Sequence, residues 1–265
     1  MRIVIGFLVS LLMCQSINAQ KPYKLNLAID IPVTALGIAG TAWGFSKLSK
    51  KESTDSMTIM ALDKNDLARI NRSAAGNFDE QAKKVSDYLF YGSFPLPVIF
   101  MLDRTIRQDA GTYSLLYLQA LGWNGTLYSN LAAHKDKFRP LVYGGDEVPM
   151  SEKMRGNAKN SFPGGHPSVT AVSMFFMAKT WGDYHPDSKL TPYLYGIAGI
   201  SSVTNAYLRY KAGKHFPTDL FVGVSMGTLL GIFVPHLHKV SQDSKIDLGG
   251  FNGPGYSGLS ISVKL

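Results

Sequence analysis

Residues 160–178 read NSFPGGHPSVTAVSMFFMA, and this stretch indicates a helix with a possible binding site at its start. No charged residue follows His166 in the run, which predicts a buried helix. Gly164 and Gly165 can adopt backbone angles closed to other residues, and before a helix they expose N–H groups at its positive end, where anions bind. His166 is placed to donate a proton to a leaving oxygen. An ordinary Pro-Gly-Gly turn before a buried helix would give the same pattern, so this stretch needs support from the rest of the chain.

Five further stretches are equally poor in charge and rich in apolar and small residues. With the first, they cover 31–46, 88–102, 110–133, 160–178, 190–208 and 220–238. Gly, Ser and Ala among large apolar residues are common where helices pack closely in a membrane. The expected fold is therefore all-α, a helical bundle of about six apolar helices. A soluble helical domain stays open as the alternative, because the mean hydropathy is only +0.01.

The composition excludes several classes of protein. The 265 residues include 27 Lys and Arg against 19 Asp and Glu, which gives a net charge of +8. Hydrophobic residues make up 45% of the chain, too many for a disordered protein. The single Cys excludes an internal disulfide framework and a Cys-rich zinc module. The basic residues are scattered rather than striped, so no nucleic-acid partner is expected, while the positive charge suits an anionic membrane surface.

The N-terminal residues have the pattern of a secretory signal. Arg2 supplies a positive start, residues 3–13 form an apolar run, and Ala19 is a small residue at the expected cleavage position. A retained anchor is the alternative. We expect an exported protein of the cell envelope, membrane-associated or integral, with its site facing the periplasm. If the signal is cleaved and all six stretches span, the loops at Arg139 and His215 would face the cytoplasm instead, so one of these premises must fail.

A second cluster of polar residues lies between the last two apolar stretches. His215 and Asp219 are four residues apart and would share one face of a helix. An Asp beside a His can accept one ring N–H, fix the tautomer and leave the other nitrogen free to attack. Pro217 places His215 just before or at a helix start, and Arg209 could offer its planar fork to an anion. A solvated loop between helices is the plain alternative.

A third cluster, Arg139-Pro140, closes the stretch 110–133 and supplies a second guanidinium. Two Arg, a Gly-rich helix start and two His form a phosphoryl-transfer site. In such a site, guanidinium and backbone donors meet the charge that a metal would otherwise neutralise. Neither a metal nor a cofactor is therefore expected.

The order and spacing of the three clusters resemble the type 2 phosphatidic acid phosphatase and vanadium haloperoxidase superfamily. The pattern of that family is Lys, six residues, Arg-Pro; then Pro-Ser-Gly-His; then Ser-Arg, five residues, His, three residues, Asp. This chain matches it at Arg139-Pro140, at Pro163-x-Gly165-His166, and at Arg209, His215 and Asp219. The resemblance spans roughly 88–238 and implies the helical fold of the family.

The resemblance also implies a role for each matching residue. His215 would be the nucleophile and form a phospho-histidine, Asp219 would orient it, and His166 would protonate the leaving group and then activate water. The phosphate oxygens would be held by Arg139, Arg209 and the backbone of Gly164 and Gly165. The implied function is metal-independent hydrolysis of a lipid-linked phosphate monoester or pyrophosphate, by a phosphoric ester hydrolase of the acid or lipid phosphatase type.

Three departures from the family pattern affect the expected activity. Ala132 stands where the family has Lys, Gly164 replaces a Ser, and Leu208 replaces another Ser. Loss of one transition-state donor can cost ~10²–10³ in rate, so weakened or specialised catalysis is expected. Lys135 or Lys137 could replace the missing Lys. Two other functions stay open: a catalytically impaired member that binds phosphate or lipid headgroups, and a vanadate-dependent haloperoxidase.

These patterns predict four parts of the chain. They are a signal peptide at 1–19, an N-terminal apolar helix with a polar helical segment at 20–87, a phosphatase-like helical domain at 88–240, and a Gly-rich C-terminal tail at 241–265. The last residues of the tail, 259–265, alternate between apolar and polar and predict one strand.

Overall fold

The body of the protein is a bundle of six long helices. The computed structural model describes residues 21–240, 246–253 and 256–263, so the predicted signal at 1–19 lies outside the described residues. The long helices are α1 (Leu27–Leu48), α2 (Glu80–Ser93), α3 (Ala110–His134), α4 (Gly165–Tyr184), α5 (Thr191–Lys211) and α6 (Pro217–Leu237). Each predicted apolar stretch overlaps one of them, so the expected all-α bundle is confirmed.

Short helical turns connect the long helices in the described part of the chain. The α-helical ones are Ser56–Met60, Leu96–Ile99, Arg104–Arg107 and Met150–Met154. The 3₁₀ turns are Lys64–Asp66, Arg72–Ala74, Phe100–Leu102, Pro140–Tyr143 and Gly156–Lys159. The polar segment after α1, predicted to be helical, and the long segment after α3 are therefore both partly helical.

Helix α4 lies at the centre of the bundle and packs against α2, α3, α5 and α6. Gly223, Gly227 and Gly231 of α6 recur every four residues and face it. A Cβ atom at any of these positions would clash with a backbone carbonyl oxygen of α4 or of the residue before it. Small residues at such spacing let two helix backbones approach closely, and here they hold the first turn of α6 against the start of α4.

The last turn of α2 gives way to a short segment that contains Pro95 and Pro97. Proline has no N–H group, so Pro95 and Pro97 cannot continue the hydrogen bonds of the helix. The carbonyl of Phe94 accepts a hydrogen bond from Tyr117 Oη at 2.6 Å, and that of Pro97 accepts one from Tyr113 Oη at 2.9 Å. These two hydrogen bonds from tyrosines of α3 join the segment after α2 to the main core.

The long helices alternate in direction along the chain. One end of the bundle, the site end, gathers the ends of α1, α3 and α5 and the starts of α2, α4 and α6. At the opposite end, the far end, the N–H of Lys24 donates to the carbonyl of His238 at 2.9 Å and the N–H of Val240 donates to that of Pro22 at 2.8 Å. The segment before α1 and the segment after α6 are thus tied together at the far end.

A second, smaller core covers the site end. Its buried members come from the Ser56–Met60 turn and from the segment between α3 and α4: Ile59, Leu141, Val142, Val148 and Ala158. The N–H of Arg139 donates to the carbonyl of Ala158 at 2.8 Å. This core fixes the backbone that carries Arg139 beside the start of α4.

Three helical segments are long and apolar enough to cross a membrane by length and composition: Leu27–Leu48, Glu80–Leu102 and Pro217–Leu237. The second segment begins before the predicted stretch 88–102, because that stretch left out the charged first turns of the helix. Helices α3 and α5 are not among the three. Buried polar residues lie in both: Gln119 and Asn124 in α3, and Asn205 and Arg209 in α5.

The C-terminal tail contains a two-stranded antiparallel hairpin, not a single strand. Strand β1 (Ile246–Gly253) pairs with β2 (Tyr256–Val263), with Ile246 opposite Val263 and Gly253 opposite Tyr256. The predicted strand corresponds to β2. The first strand was missed because three of its eight residues are Gly, a residue that is depleted in strands.

Candidate active site

A pocket of about 340 Å³ opens at the site end. Its wall includes three of the predicted site residues, namely Arg139, His166 and Arg209. It also includes residues that sequence analysis did not select, and the ones used below are Lys83, Asp87, Tyr91, Tyr128 and Lys214. Polar and charged groups therefore converge here from α2, α3, α4, α5 and the connecting segments.

His215 lies in the connection between α5 and α6 and is buried, with 1% of its surface exposed. Its Nδ1 is 2.6 Å from the carbonyl oxygen of Ser161. A carbonyl can only accept, so Nδ1 carries the hydrogen and the lone pair of the neutral ring is on Nε2. Burial, with Arg139 and Arg209 nearby, holds the pKa of His215 well below its usual value. The ring is therefore neutral, with its lone pair on Nε2, although His215 lies behind the pocket wall and is not among the residues that line it.

Asp219 is buried in the first turn of α6 and does not contact His215 in the way the family pattern implies. Its carboxylate accepts hydrogen bonds from Ser161 Oγ at 2.7 Å and from the N–H of Phe216 at 3.1 Å. Lys137 Nζ forms an ion pair with it at 2.5 Å. The peptide of Ser161 stands between the acid and the imidazole, so Asp219 holds His215 in place indirectly, through Ser161 and the helix start.

We predict that Asp219→Asn lowers stability by about 3 kcal/mol, because it leaves the ammonium of Lys137 without its buried partner. Thermal unfolding in detergent measures this loss. Asp136→Asn is the control, since Asp136 also forms ion pairs with lysine, in its case Lys51 and Lys159, but its side chain is 58% exposed. Such exposed pairs contribute ~0–1 kcal/mol. Equal losses in the two variants would contradict the role given to Asp219.

His166 lies in the first turn of α4 and contacts an acidic residue of α2. Its Nε2 is 3.2 Å from Asp87 Oδ1, and its ring lies on Phe90 with centroids 4.3 Å apart. The same Asp87 oxygen accepts a hydrogen bond from Arg209 Nη1 at 2.9 Å. Partial burial, followed by the positive charges of Arg209 and Arg139, lowers the pKa of His166. Asp87 thus links the expected proton donor to one phosphate-binding Arg.

The two predicted guanidinium groups are both buried, and they differ in their partners. Arg209 also donates to Ser86 Oγ at 3.2 Å, while its Nε has no hydrogen-bond partner among the described residues. Arg139 donates to the side-chain oxygen of Asn157 at 3.1 Å and to the carbonyl of Asn160 at 3.4 Å. Because amide oxygens carry no net charge, the positive charge of Arg139 stays uncompensated by these contacts.

Gly164 and Gly165 have a packing role that the sequence did not reveal. The N–H of Gly164 donates to the carbonyl of Asp219 at 2.9 Å, so this group is already engaged and does not match the expected phosphate donor. A Cβ at Gly165 would overlap the ring of Tyr128, which lines the pocket. A Cβ at Gly164 would lie 3.1 Å from the same Asp219 carbonyl, so the family's Ser would fit here only after a small shift.

The two lysines suggested as replacements at position 132 are engaged elsewhere. Lys137 pairs with Asp219, and Lys135 lies over the ring of Phe162 with its Nζ 5.0 Å from the centroid. Neither lines the pocket, whereas Lys83 and Lys214 do. The side chain of Ala132 is buried, and the position it occupies brings no charge to the site.

Sequence reasoning missed Asp87 and Lys83 because both lie in the polar segment that it assigned to the N-terminal part. A signal was present: Lys83, Asp87 and Tyr91 are spaced by four and share one helix face, after Asp79, which caps α2 by accepting from the N–H of Ala82 at 2.8 Å. The division of the chain at residue 87 stays a prediction. Among the described residues, no group of three or more His, Cys, Asp and Glu side chains is placed to hold a metal ion.

Comparison with known proteins adds two findings. The model of the PAP2 superfamily matches residues 113–243, which hold the Arg139, His166 and His215 clusters. A solved structure, described as the crystal structure of the first transmembrane PAP2 type phosphatidylglycerolphosphate phosphatase from Bacillus subtilis, is similar at 22% sequence identity and a TM-score of 0.47. The similarity covers 78% of this chain and 94% of that one. No curated protein sequence matches the chain.

Proposed function

We propose that this chain, whose residues 113–243 belong to the PAP2 superfamily, is a phosphatase that transfers the phosphoryl group of a lipid-linked phosphate monoester or pyrophosphate first to His215 and then to water. The observation that carries the proposal is the state of His215. It is neutral, its Nδ1 is tethered to a carbonyl, and it lies near two buried guanidinium groups. That arrangement is suited to nucleophilic attack on an anion.

In the first step His215 Nε2 attacks phosphorus, and the bond from phosphorus to the leaving oxygen breaks. His166 gives its proton to that oxygen. In the second step water attacks the phospho-histidine, its proton passes to His166, and the phosphorus–nitrogen bond breaks to release inorganic phosphate. Arg139 and Arg209 stabilise the charge on the phosphate oxygens in both steps. Asp87, which contacts His166 and Arg209, would hold the acid and this guanidinium in fixed positions relative to each other.

A lipid-linked substrate is supported by the surroundings of the pocket. Tyr91 lines the pocket and is 68% exposed on α2, on the same helix surface as exposed Tyr88 and Phe94. An acyl or prenyl chain could lie along this apolar face while its phosphate enters the pocket. The candidate spans support membrane attachment. We include in this proposal the placement of the protein in the cell envelope with its pocket facing the periplasm.

The test is phosphate release by the detergent-purified full-length protein, in EDTA, from a panel of phosphatidate, prenyl pyrophosphate and soluble phosphate esters. Release in EDTA from the lipid substrates, above that from the soluble esters, is expected. Release only from soluble esters would contradict the lipid assignment, and release that requires an added metal would contradict the mechanism.

We predict that kcat/KM rises as the pH is lowered from about 8 to about 5. The nucleophile must be unprotonated, and the pKa of His215 lies well below its usual value, so His215 stays competent over this range. The acid must be protonated, and the lowered pKa of His166 means that it gains a proton as the pH falls. A pH–rate profile checks this, and a loss of activity centred near pH ~6.5, the ordinary value for His, would contradict it.

A further inference from the structure

Lys214 occupies a fixed position next to the nucleophile. The chain turns at Gly213, whose φ is +65°, and the N–H of Lys214 then donates to the carbonyl of Arg209 at 3.0 Å. The N–H of Leu141, from the segment that carries Arg139, donates to the carbonyl of Gly213 at 3.0 Å. These bonds hold the backbone of Lys214 between the two segments that supply the guanidinium groups.

The side chain of Lys214 enters the pocket and is buried, with 6% of the residue exposed. Its Nζ forms no ion pair or hydrogen bond with the described residues. Burial, followed by the charges of Arg139 and Arg209, lowers the pKa of Lys214 to about 8, with Glu80 and Glu152 as weaker opposing charges. The other charged or titratable groups that line the pocket are Lys83, Asp87, Arg155 and His166. An ammonium in such surroundings is costly unless an anion joins it.

The balance of charge in the pocket indicates which anion that is. Arg209 and, at 3.7 Å, Lys83 share one carboxylate partner, Asp87, and on the rim Arg155 is paired with Glu152 at 2.7 Å. Arg139 and Lys214 have no carboxylate partner among the described residues. The five cationic side chains of the pocket lining exceed its two carboxylates by three. This excess of positive charge suits a phosphate monoester group, which carries about two negative charges near neutral pH.

We propose that Lys214 is a phosphate-binding catalytic residue that supplies, from the α5–α6 connection, the ammonium that position 132 lacks. The proposal deepens the proposed function, because it assigns the ligand of that same site. It also identifies a reason why the loss of Lys at 132 is compatible with activity: the charge is delivered by a different segment, adjacent to the nucleophile rather than one helix away.

The experiment measures two quantities on Lys214→Met, which keeps the length of the side chain and removes its charge. The first is the affinity for inorganic phosphate by calorimetric titration of the detergent-purified protein, which we expect to fall at least tenfold. The second is the melting temperature without phosphate, which we expect to rise by about 2–4 °C, because an unpaired buried charge is removed. Lys211→Met is the control, because Lys211 is the exposed last residue of α5, three residues before Lys214. It should change neither quantity.

Lys214→Arg provides the second variant. It keeps a charge that does not titrate in the accessible range, so its phosphate affinity should persist above pH ~8, where that of the wild type declines. A Lys214→Met protein that binds phosphate like the wild type, or that melts earlier or fails to fold, would overturn the proposal, since a structural lysine behaves in that way. Lys214-dependent phosphate binding in a protein without turnover would instead support this inference and contradict the proposed function.

Discussion

His215→Ala is expected to lower kcat by about 10⁴-fold or more, because the variant has no nitrogen to form the covalent intermediate. The geometry makes this the largest effect expected of any single change. The Nδ1 of His215 is occupied by the carbonyl of Ser161, which leaves one nitrogen for attack. No other described histidine near the pocket is free of a competing role, since His166 serves as the acid.

The measurement is phosphate release under single-turnover conditions, with the melting temperature recorded in parallel. His134→Ala is the matched control: His134 is exposed at the end of α3, where its Nδ1 contacts the carbonyl of Asn130. It should retain wild-type turnover. Turnover of the His215→Ala protein within tenfold of the wild type would exclude a phospho-histidine at this position.

Arg139→Lys is expected to lower kcat/KM by ~10²–10³, although it conserves charge. A guanidinium offers a planar fork that matches two phosphate oxygens at once, and an ammonium acts as a single point charge. Arg139 is held with its Nη2 on Asn157 and its Nε on Asn160, contacts that one ammonium cannot reproduce together. The shorter reach of Lys then leaves part of the pocket unfilled.

Steady-state kinetics on the best lipid substrate measure this effect. Arg104→Lys, at an exposed position in the Arg104–Arg107 turn, controls for the exchange of Arg for Lys in general. If the loss lies entirely in KM while kcat is unchanged, Arg139 binds ground state and transition state alike, and its assignment to charge stabilisation in the transition state would be wrong.

The fold was largely readable from the sequence because charge-free stretches of helical length have few alternatives to burial. Five of the six stretches lie mainly in long helices, whereas 88–102 holds the end of α2 and the short turns that follow it. The Gly-Gly-His step fell at the start of α4, as expected from Gly164 and Gly165. The end of α2 coincides with Pro95 and Pro97, which interrupt the stretch 88–102. What the pattern could not give was the pairing of helices, such as α1 with α3, because small residues that recur on a helix indicate a close neighbour but not which helix that neighbour is.

The site was readable only in part. Spacing brought Arg139, His166 and Arg209 to one pocket, but it assigned the partner of His215 to Asp219, whereas the structure gives that place to the carbonyl of Ser161. Every residue carries a backbone carbonyl, so the identity of this acceptor cannot be inferred from the sequence. Lys214 was passed over for the same kind of reason: its relevance lies in the absence of a carboxylate near it, which depends on the whole fold.

The tie between Lys24 and His238 at the far end bears on how the orientation of this protein can be determined. An even number of long helices returns the chain to the face from which it departed, so the pocket and the residue after α6 lie on opposite faces of the bundle. A reporter enzyme fused beyond Val240 therefore reads the compartment that the pocket does not face, provided that the bundle spans the bilayer. If an external protease cleaves the reporter, the pocket and its substrate lie on the other side of the membrane.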